Sequence, residues 1–110
     1  MKIAVDYDDT FTRDKRLFAE FISNAIKRGH NVTFVTFRPP GPFNRDIEKA
    51  AELLGIDIVY TGGRQKQHCF EADIWIDDKP ELIPSSNLLQ AMYNGCVANK
   101  DLQLDDTNER

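Results

Sequence analysis

The sequence predicts an α/β fold, a doubly wound parallel sheet of about five strands with helices on both faces. Segments with strand character alternate with segments of helical periodicity along its 110 residues. The strand segments are continuous apolar runs, which is typical of parallel strands that are covered on both faces. The sequence has no internal repeat and no change in amino-acid composition that would mark a second domain. Residues 1–110 are therefore expected to form a single domain.

The first half of the chain predicts two strands around one helix. Residues 2–5 form an apolar run typical of a buried strand. Apolar residues then recur at helical spacing, and Gly29 is placed to end that helix. Residues 31–36 are rich in β-branched side chains and predict a second strand. The apolar positions of the helix are Leu17, Phe21, Ile22, Ala25 and Ile26.

The middle of the chain continues this alternation. A proline-rich loop at residues 38–42 precedes a second amphipathic helix, which Gly55 closes. Residues 56–61 predict a third strand and residues 72–76 a fourth. The apolar positions of the second helix are Ile47, Ala50, Ala51 and Leu54.

The last part of the chain carries a weaker pattern. Residues 88–93 predict a short helix, stopped by Asn94 and Gly95, and residues 96–98 predict an edge strand. From about residue 100 the chain is polar and is expected to fray.

Composition and charge restrict the class of protein. The apolar fraction of 41% fits a globular fold. The net charge of −4 does not indicate a basic surface that would bind nucleic acid. A nucleotide or a nucleic-acid end stays open as a substrate, because a metal site can bind phosphate without a basic patch. Cys69 and Cys96 have neither zinc spacing nor a disulfide framework. No signal peptide or membrane span is predicted, so we expect a cytoplasmic protein without a membrane partner.

Polar side chains stand where the predicted strands end. Asp6 and Asp8 follow the first strand, Thr36 ends the second, and Asp77 and Asp78 follow the fourth. The carboxyl ends of parallel strands meet at one edge of the sheet, where ligands bind in open α/β folds. Carboxylates held that close repel one another unless a cation or a proton offsets their charge. A hard divalent cation is therefore expected there.

These motifs resemble those of haloacid dehalogenase superfamily phosphohydrolases, of a small type without a cap domain. That family has an apolar strand followed by Asp-x-Asp-x-Thr, a strand ending in Thr or Ser, a Lys ahead of the fourth strand, and a strand ending in Asp-Asp. The resemblance covers residues 2–80 in the family's order. The matching positions are Asp6, Asp8 and Thr10 in the first motif, Thr36 in the second, Lys66 in the third, and Asp77 and Asp78 in the fourth.

The resemblance implies a Mg²⁺-dependent phosphatase on a Rossmann-like core. Asp6 would attack phosphorus and form an aspartyl-phosphate, and Asp8 would move protons as general acid and base. Mg²⁺ would bind a carboxylate oxygen of Asp6, the backbone carbonyl of Asp8 and an acid of the fourth motif. Asp78 is favoured as that ligand, with Asp77 contacting bound water or Lys66.

The remaining roles follow from the same resemblance. Thr36 would donate to a phosphoryl oxygen, and Lys66 would balance the charge of the nucleophile and the transferred group, with Arg64 as the alternative for this cation. Thr10 would tie down its loop or add a substrate contact. Independently of the resemblance, the proline-rich loop lies beside Thr36, where substrate must pass, so Arg38 or Arg45 would contact a second phosphate or a base, with an ordinary loop role as the equal alternative.

The connections after the first and second strands are too short to hold a cap domain. An open site suits a phosphate on a large substrate, such as a phosphoprotein or a nucleic-acid end, and a second subunit of a homo-oligomer would be able to cover it. Residues 77–80 resemble the ending found in deoxyribonucleotidase-like members, which favours nucleotides. Two alternatives remain open: a phosphorylatable receiver-like domain and a catalytically inactive metal-binding interaction domain.

Overall fold

The computed structural model describes residues 1–83, which form an α/β fold with an all-parallel sheet. Four strands and three α-helices alternate, and two short 3₁₀ helices accompany them. The strands are β1 (Lys2–Val5), β2 (Asn31–Thr36), β3 (Asp57–Tyr60) and β4 (Ile74–Ile76). The α-helices are α1 (Lys15–Lys27), α2 (Arg45–Leu54) and α3 (Lys66–Cys69), and the 3₁₀ helices are Phe11–Arg13 and Pro80–Leu82.

The strand order is β3-β2-β1-β4, so β1 and β2 occupy the centre of the sheet. Val5 at the end of β1 pairs with Phe34 of β2 on one side and Ile76 of β4 on the other. Since all strands run the same way, the loops that follow β1, β2 and β4 leave from one edge. This edge is where the polar residues predicted from the sequence are found.

The predicted α/β class with a parallel sheet is confirmed for the described residues. β1 and β2 have the predicted bounds, whereas β3 and β4 are shorter than the predicted segments 56–61 and 72–76. The predicted helix at 88–93, the predicted fifth strand at 96–98 and the polar tail lie outside the described residues.

Helix α1 has local signals at both ends. The carboxylate of Asp14 accepts a hydrogen bond from the backbone N–H of Leu17 at 3.0 Å, which caps the helix, and Gly29 follows it with φ of 90°. Of its predicted apolar set only Ile22 and Ala25 are buried, while Leu17 is 55% exposed. Phe18 and Ala19 also pack against the core, so the packed face of the helix is rotated relative to the predicted set.

Three aromatic rings support the loop after β1. The Tyr7 ring lies 5.6 Å from the Phe11 ring and 5.3 Å from the Phe34 ring, and Phe11 and Phe34 are 5.1 Å apart between centroids. All three are buried. Such clusters combine a large buried apolar area with favourable edge-to-face geometry. The cluster holds the backbone on both sides of Tyr7, and thereby the two acids that flank it.

The connections in the described region are short. Between β1 and α1 the chain adds one turn of 3₁₀ helix, and between β2 and α2 it adds residues 37–44. No inserted domain interrupts residues 1–83. Within these residues no helix has the length and apolar character needed to cross a membrane.

Candidate functional site

A small polar cavity of about 210 Å³ lies at the carboxyl edge of the sheet. The loops after β1, β2 and β4 line it, together with α3. Its lining residues are Asp6, Asp8, Asp9, Thr36, Phe37, Arg38, Lys66, Asp77, Asp78 and Lys79. Of the site residues expected from the sequence, Thr10 and the alternative cation Arg64 do not border this cavity, whereas Asp6, Asp8, Thr36, Arg38, Lys66, Asp77 and Asp78 do.

Asp6 lies at the end of the central strand β1 and is buried. Its backbone N–H donates to the carbonyl oxygen of Ile76 at 2.9 Å, which extends the β1–β4 pairing by one residue. Oδ1 accepts a hydrogen bond from Lys66 at 2.8 Å, and Oδ2 accepts one from Thr10 at 3.1 Å. Burial raises the pKa of Asp6 to about 6, against the opposing effect of the Lys66 ammonium.

Lys66 is the central cation of the site and is 1% exposed. Its ammonium group donates to Asp6 at 2.8 Å and to Asp77 at 2.5 Å, and it lies 4.8 Å from the centre of the Phe37 ring. Arg64, the alternative considered for this role, instead turns to the backbone and donates through Nε to the carbonyl of Thr61 at 3.0 Å. The structure therefore brings Lys66, and not Arg64, to Asp6.

The two acids after β4 have different surroundings. Asp77 is occupied at both carboxylate oxygens, since Oδ2 accepts from Lys66 and Oδ1 accepts from the backbone N–H of Lys79 at 2.9 Å. Asp78 is exposed, and its Oδ1 is 3.4 Å from the Thr10 hydroxyl. A hydrogen bond with Asp6 lowers the pKa of Asp78.

These acids fit the donor set of a hard divalent cation. Asp6, Asp77 and Asp78 each offer a carboxylate oxygen within 4.8 Å of the others. Oxygen ligands of this kind suit Mg²⁺, which usually keeps several waters besides one or two carboxylates. The cavity lining as a whole holds five carboxylates against three cationic side chains, a formal excess of two negative charges. An anionic substrate needs this excess to be offset.

Thr10 links the loops after β1 and β4. Its hydroxyl is placed to donate to Asp6 at 3.1 Å or to Asp78 at 3.4 Å, and it accepts from the backbone N–H of Asp78 at 3.0 Å. The residue is buried. Of the two roles expected for Thr10, the structure places it in the one that ties down the loop.

Thr36 ends β2 inside the cavity and is buried. Its hydroxyl oxygen accepts a hydrogen bond from the backbone N–H of Arg38 at 3.3 Å. The hydroxyl proton has no recorded acceptor within residues 1–83, so it is free to be donated to a ligand oxygen. Binding of phosphate by this hydroxyl stays a prediction.

Asp8 lies apart from the group of Asp6, Asp77 and Asp78. Its side chain is exposed and forms a two-pronged pair with Arg38, with Nε to Oδ2 at 3.0 Å and Nη2 to Oδ1 at 2.8 Å. The residue predicted to move protons is thus held by the residue predicted to bind substrate. This pairing was not predicted, because the two residues are 30 positions apart in the chain.

Arg38 is also held from its other side. Asp46 accepts from Nη1 at 2.8 Å and from Nη2 at 2.9 Å, and Asn44 accepts from Nη1 at 3.3 Å. The guanidinium lowers the pKa of Asp46 to about 2, while both carboxylates raise the pKa of Arg38. Sequence reasoning missed Asn44 and Asp46. The sequence feature that could have identified them is their position at the start of α2, where amide and carboxylate side chains are favoured.

Asp9 adopts a left-handed backbone conformation, with φ of 63°. Its backbone N–H donates to the hydroxyl of Thr12 at 2.9 Å. Glycine adopts this conformation most readily. The family that this chain resembles most often has glycine at the position of Asp9. Asp9 borders the cavity without any recorded side-chain bond to the acids within the described region.

No family model, curated protein or solved structure was found to match the chain. Function is therefore inferred from the placement of the residues themselves.

Proposed function

We propose that the chain is a Mg²⁺-dependent phosphohydrolase that cleaves phosphate monoesters through an aspartyl-phosphate intermediate. The observation that carries the proposal is the position of Asp6, a buried carboxylate between the Lys66 ammonium at 2.8 Å and the acids that follow β4. A structural ion pair needs one acid, whereas here the buried ammonium binds two carboxylates, Asp6 and Asp77, and a third, Asp78, lies beside them. The same assignment follows from the resemblance to the haloacid dehalogenase superfamily.

The first step transfers the phosphoryl group to the protein. An oxygen of Asp6 attacks phosphorus and forms the acyl-phosphate bond, while the bond from phosphorus to the leaving oxygen breaks. The leaving oxygen takes a proton from the carboxyl group of Asp8 and departs as an alcohol. Lys66 and the hydroxyl of Thr36 stabilise the charge on the transferred group.

The second step restores the protein. Water attacks phosphorus, the Asp8 carboxylate takes the proton of that water, and the bond between phosphorus and Asp6 breaks. Inorganic phosphate leaves, Asp6 returns to its carboxylate form, and Asp8 is protonated for the next cycle. The net reaction consumes one ester and one water.

Mg²⁺ bound at Asp6 and Asp78 would offset the charge of the acids and of the phosphate, so that one anion is able to attack another. Asp77 would stay with Lys66, because both of its oxygens already accept hydrogen bonds. The backbone carbonyl of Asp8 remains the third expected ligand.

We also propose a doubly wound sheet of about five strands, and the observed strand order supports the doubly wound arrangement. The chain moves from β1 outward to β3 and then returns to the opposite side of β1. Ligands bind at such a reversal in open α/β sheets, and Asp6 stands there. The open site suits a nucleotide, a nucleic-acid end or a phosphoprotein.

The proposal is tested by assaying phosphate release from a panel of esters with Mg²⁺ and with EDTA. The panel spans nucleoside monophosphates, sugar phosphates, phosphopeptides, 3′- and 5′-phosphorylated oligonucleotides and an aryl phosphate. Turnover that requires Mg²⁺ and is lost in Asp6→Asn supports the proposal. No turnover on any ester would favour the metal-binding interaction domain, and stable phosphorylation of Asp6 without release would favour the receiver-like domain.

A further inference from the structure

We infer that Arg38 is a positioning residue, which holds the proton donor Asp8 in place and does not bind the substrate. The inference rests on the proposed function, in which Asp8 protonates the leaving oxygen. It replaces the expectation, drawn from the sequence, that Arg38 contacts a phosphate or a base.

The first observation is that Arg38 has no donor left. A guanidinium group carries five N–H bonds in a fixed plane. Asp8 accepts two of them, Asp46 accepts two, and Asn44 accepts the fifth, at distances from 2.8 to 3.3 Å. A substrate phosphate would have to displace one of two carboxylates from a bidentate pair. Such pairs are the strongest hydrogen bonds in proteins, because charge and geometry act together.

The second observation is that the group holding Arg38 is itself fixed. Asn44 is buried, and its amide donates to the carbonyls of Pro39 at 2.9 Å and Gly41 at 3.2 Å. The guanidinium carbon also lies 5.3 Å from the centre of the Tyr7 ring. Arg38 is therefore anchored to the start of α2, to the proline-rich loop and to the aromatic core at once.

The third observation is that Asp8 needs such a support. Its side chain is 49% exposed, and Arg38 is the only cation with which it pairs in the described part of the chain. An exposed Asp samples several rotamers, whereas the pair with Arg38 selects one: the carboxylate accepts both hydrogen bonds, and the protonated acid keeps the one at its carbonyl oxygen. Proton transfer requires the donor within hydrogen-bond reach of the leaving oxygen, so the orientation of Asp8 affects the rate of that step.

This role has a chemical signature in the leaving group. An alkyl phosphate has a basic leaving oxygen that needs a proton, whereas a nitrophenyl phosphate has a stable leaving anion. Loss of a general acid therefore slows the alkyl ester far more. A residue that binds the phosphate would instead affect both esters equally, since they carry the same phosphoryl group.

The test compares kcat and KM on both esters for the wild type and for Arg38→Gln. We expect kcat/KM, which covers only the steps up to phosphoryl transfer, to fall by about 100-fold or more on the alkyl ester, the range of general-acid catalysis, and by only a few-fold on the nitrophenyl ester. On the alkyl ester, whose first step limits the rate, KM should change little. Arg38→Lys should behave like Arg38→Gln, because a lysine keeps the positive charge but lacks the planar guanidinium group that forms bidentate hydrogen bonds. Arg28→Gln, an exposed arginine after α1, is the matched control and should match the wild type.

A double variant and Asp46→Asn extend the test, and Asp46→Asn keeps the inference falsifiable if Arg38→Gln folds poorly. In Asp8→Asn, adding Arg38→Gln should cause no further loss on the alkyl ester, because residues that act as a unit are not additive. Asp46→Asn frees donors of Arg38, so it should lower the alkyl-to-aryl rate ratio while KM stays constant.

Three results would overturn the inference. The first is that Arg38→Gln lowers the rate on both esters equally and raises KM, and the second is that the rate losses in the double variant are additive. The third is a lower KM in Asp46→Asn, because Arg38 would then be available to bind the phosphate. In each of these cases an active wild type leaves the proposed function standing. A wild type that hydrolyses neither ester overturns the proposed function and this inference together.

Discussion

The ammonium group of Lys66 lies 2.8 Å from Oδ1 of Asp6, although 60 positions separate the two residues in the chain. Asp77 accepts from the same ammonium at 2.5 Å, and Lys66 is 1% exposed. This one cation therefore joins the end of β1, the start of α3 and the end of β4. A group that balances the charge of the proposed nucleophile is at the same time a tertiary link of the fold.

Lys66→Met should destabilise the protein strongly. Removing the shared cation leaves the carboxylates of Asp6 and Asp77 buried without a counterion, which costs about 3 to 5 kcal/mol in comparable sites. Urea denaturation in EDTA measures the change in the free energy of unfolding, and added Mg²⁺ should restore part of it. Lys79→Met, an exposed lysine at the same cavity, serves as the control and should change stability by less than about 0.5 kcal/mol. A loss below about 1 kcal/mol for Lys66→Met would contradict the central role of this cation.

Asp6→Asn should abolish turnover without unfolding the protein. An amide is unable to attack phosphorus, so kcat should fall by about 10³-fold or more, as in other enzymes that lose a nucleophile. Phosphate release with Mg²⁺ measures the effect, and circular dichroism checks the fold. If Asp6→Asn stayed active while Asp8→Asn lost activity, the nucleophile would have been assigned to the wrong acid.

The stability of the metal-free protein should depend on pH through Asp6. Burial raises the pKa of Asp6 from 3.8 to about 6, so between these values the folded protein holds a proton that the unfolded chain has released. The contribution of Asp6 to stability therefore rises as the pH falls from about 6 to 4, by about 3 kcal/mol at most, and is lost above pH 6.

Comparison with Asp6→Asn isolates this contribution. Urea denaturation in EDTA should show the wild type losing stability relative to Asp6→Asn as the pH rises through about 4 to 6. The opposite slope would mean that Lys66 outweighs burial. Mg²⁺ binding below about pH 6 should also release a proton, which calorimetry in buffers of different ionisation enthalpy detects.

The two acids after β4 should differ in their effect on Mg²⁺. Asp78 is exposed, whereas Asp77 is engaged at both oxygens by Lys66 and the backbone of Lys79. Loss of a contact that only orients a ligand weakens metal binding by about 10- to 100-fold. We expect Asp78→Asn to exceed that range and Asp77→Asn to stay within it while lowering stability. Titration calorimetry measures both, and the reverse order would make Asp77 the direct ligand.

Asp9→Gly should leave activity in place and raise stability. Asp9 has a φ of 63°, a conformation that disfavours a side chain by about 1 kcal/mol and that glycine adopts freely. Because glycine also makes the unfolded chain more flexible, the net gain should be below about 1 kcal/mol. Thermal unfolding measures it. A clear destabilisation would show that the side chain of Asp9 has a structural role beyond its backbone.

Part of the fold was predictable because its signals are local. The apolar runs of β1 and β2 gave their bounds, and Gly29 and Gly55 ended the two long helices where the structure has them. The short helix α3 and the 3₁₀ helices were not predicted, since segments of three or four residues show no period. The packed face of α1 was predicted only in part, because Phe18 and Ala19 pack against the core while Leu17 and Phe21 are exposed.

The sequence by itself determined the alternation of strands and helices, and the acids and the hydroxyl that stand at the strand ends. Each of these follows from residues within a few positions of one another. Only the tertiary structure decided which cation serves Asp6 and which partner holds Asp8. Lys66 rather than Arg64 reaches Asp6, and Arg38 meets Asp8 and Asp46 together. These pairings depend on long side chains from separate loops meeting at one edge of a parallel sheet, and sequence spacing carries no record of that geometry.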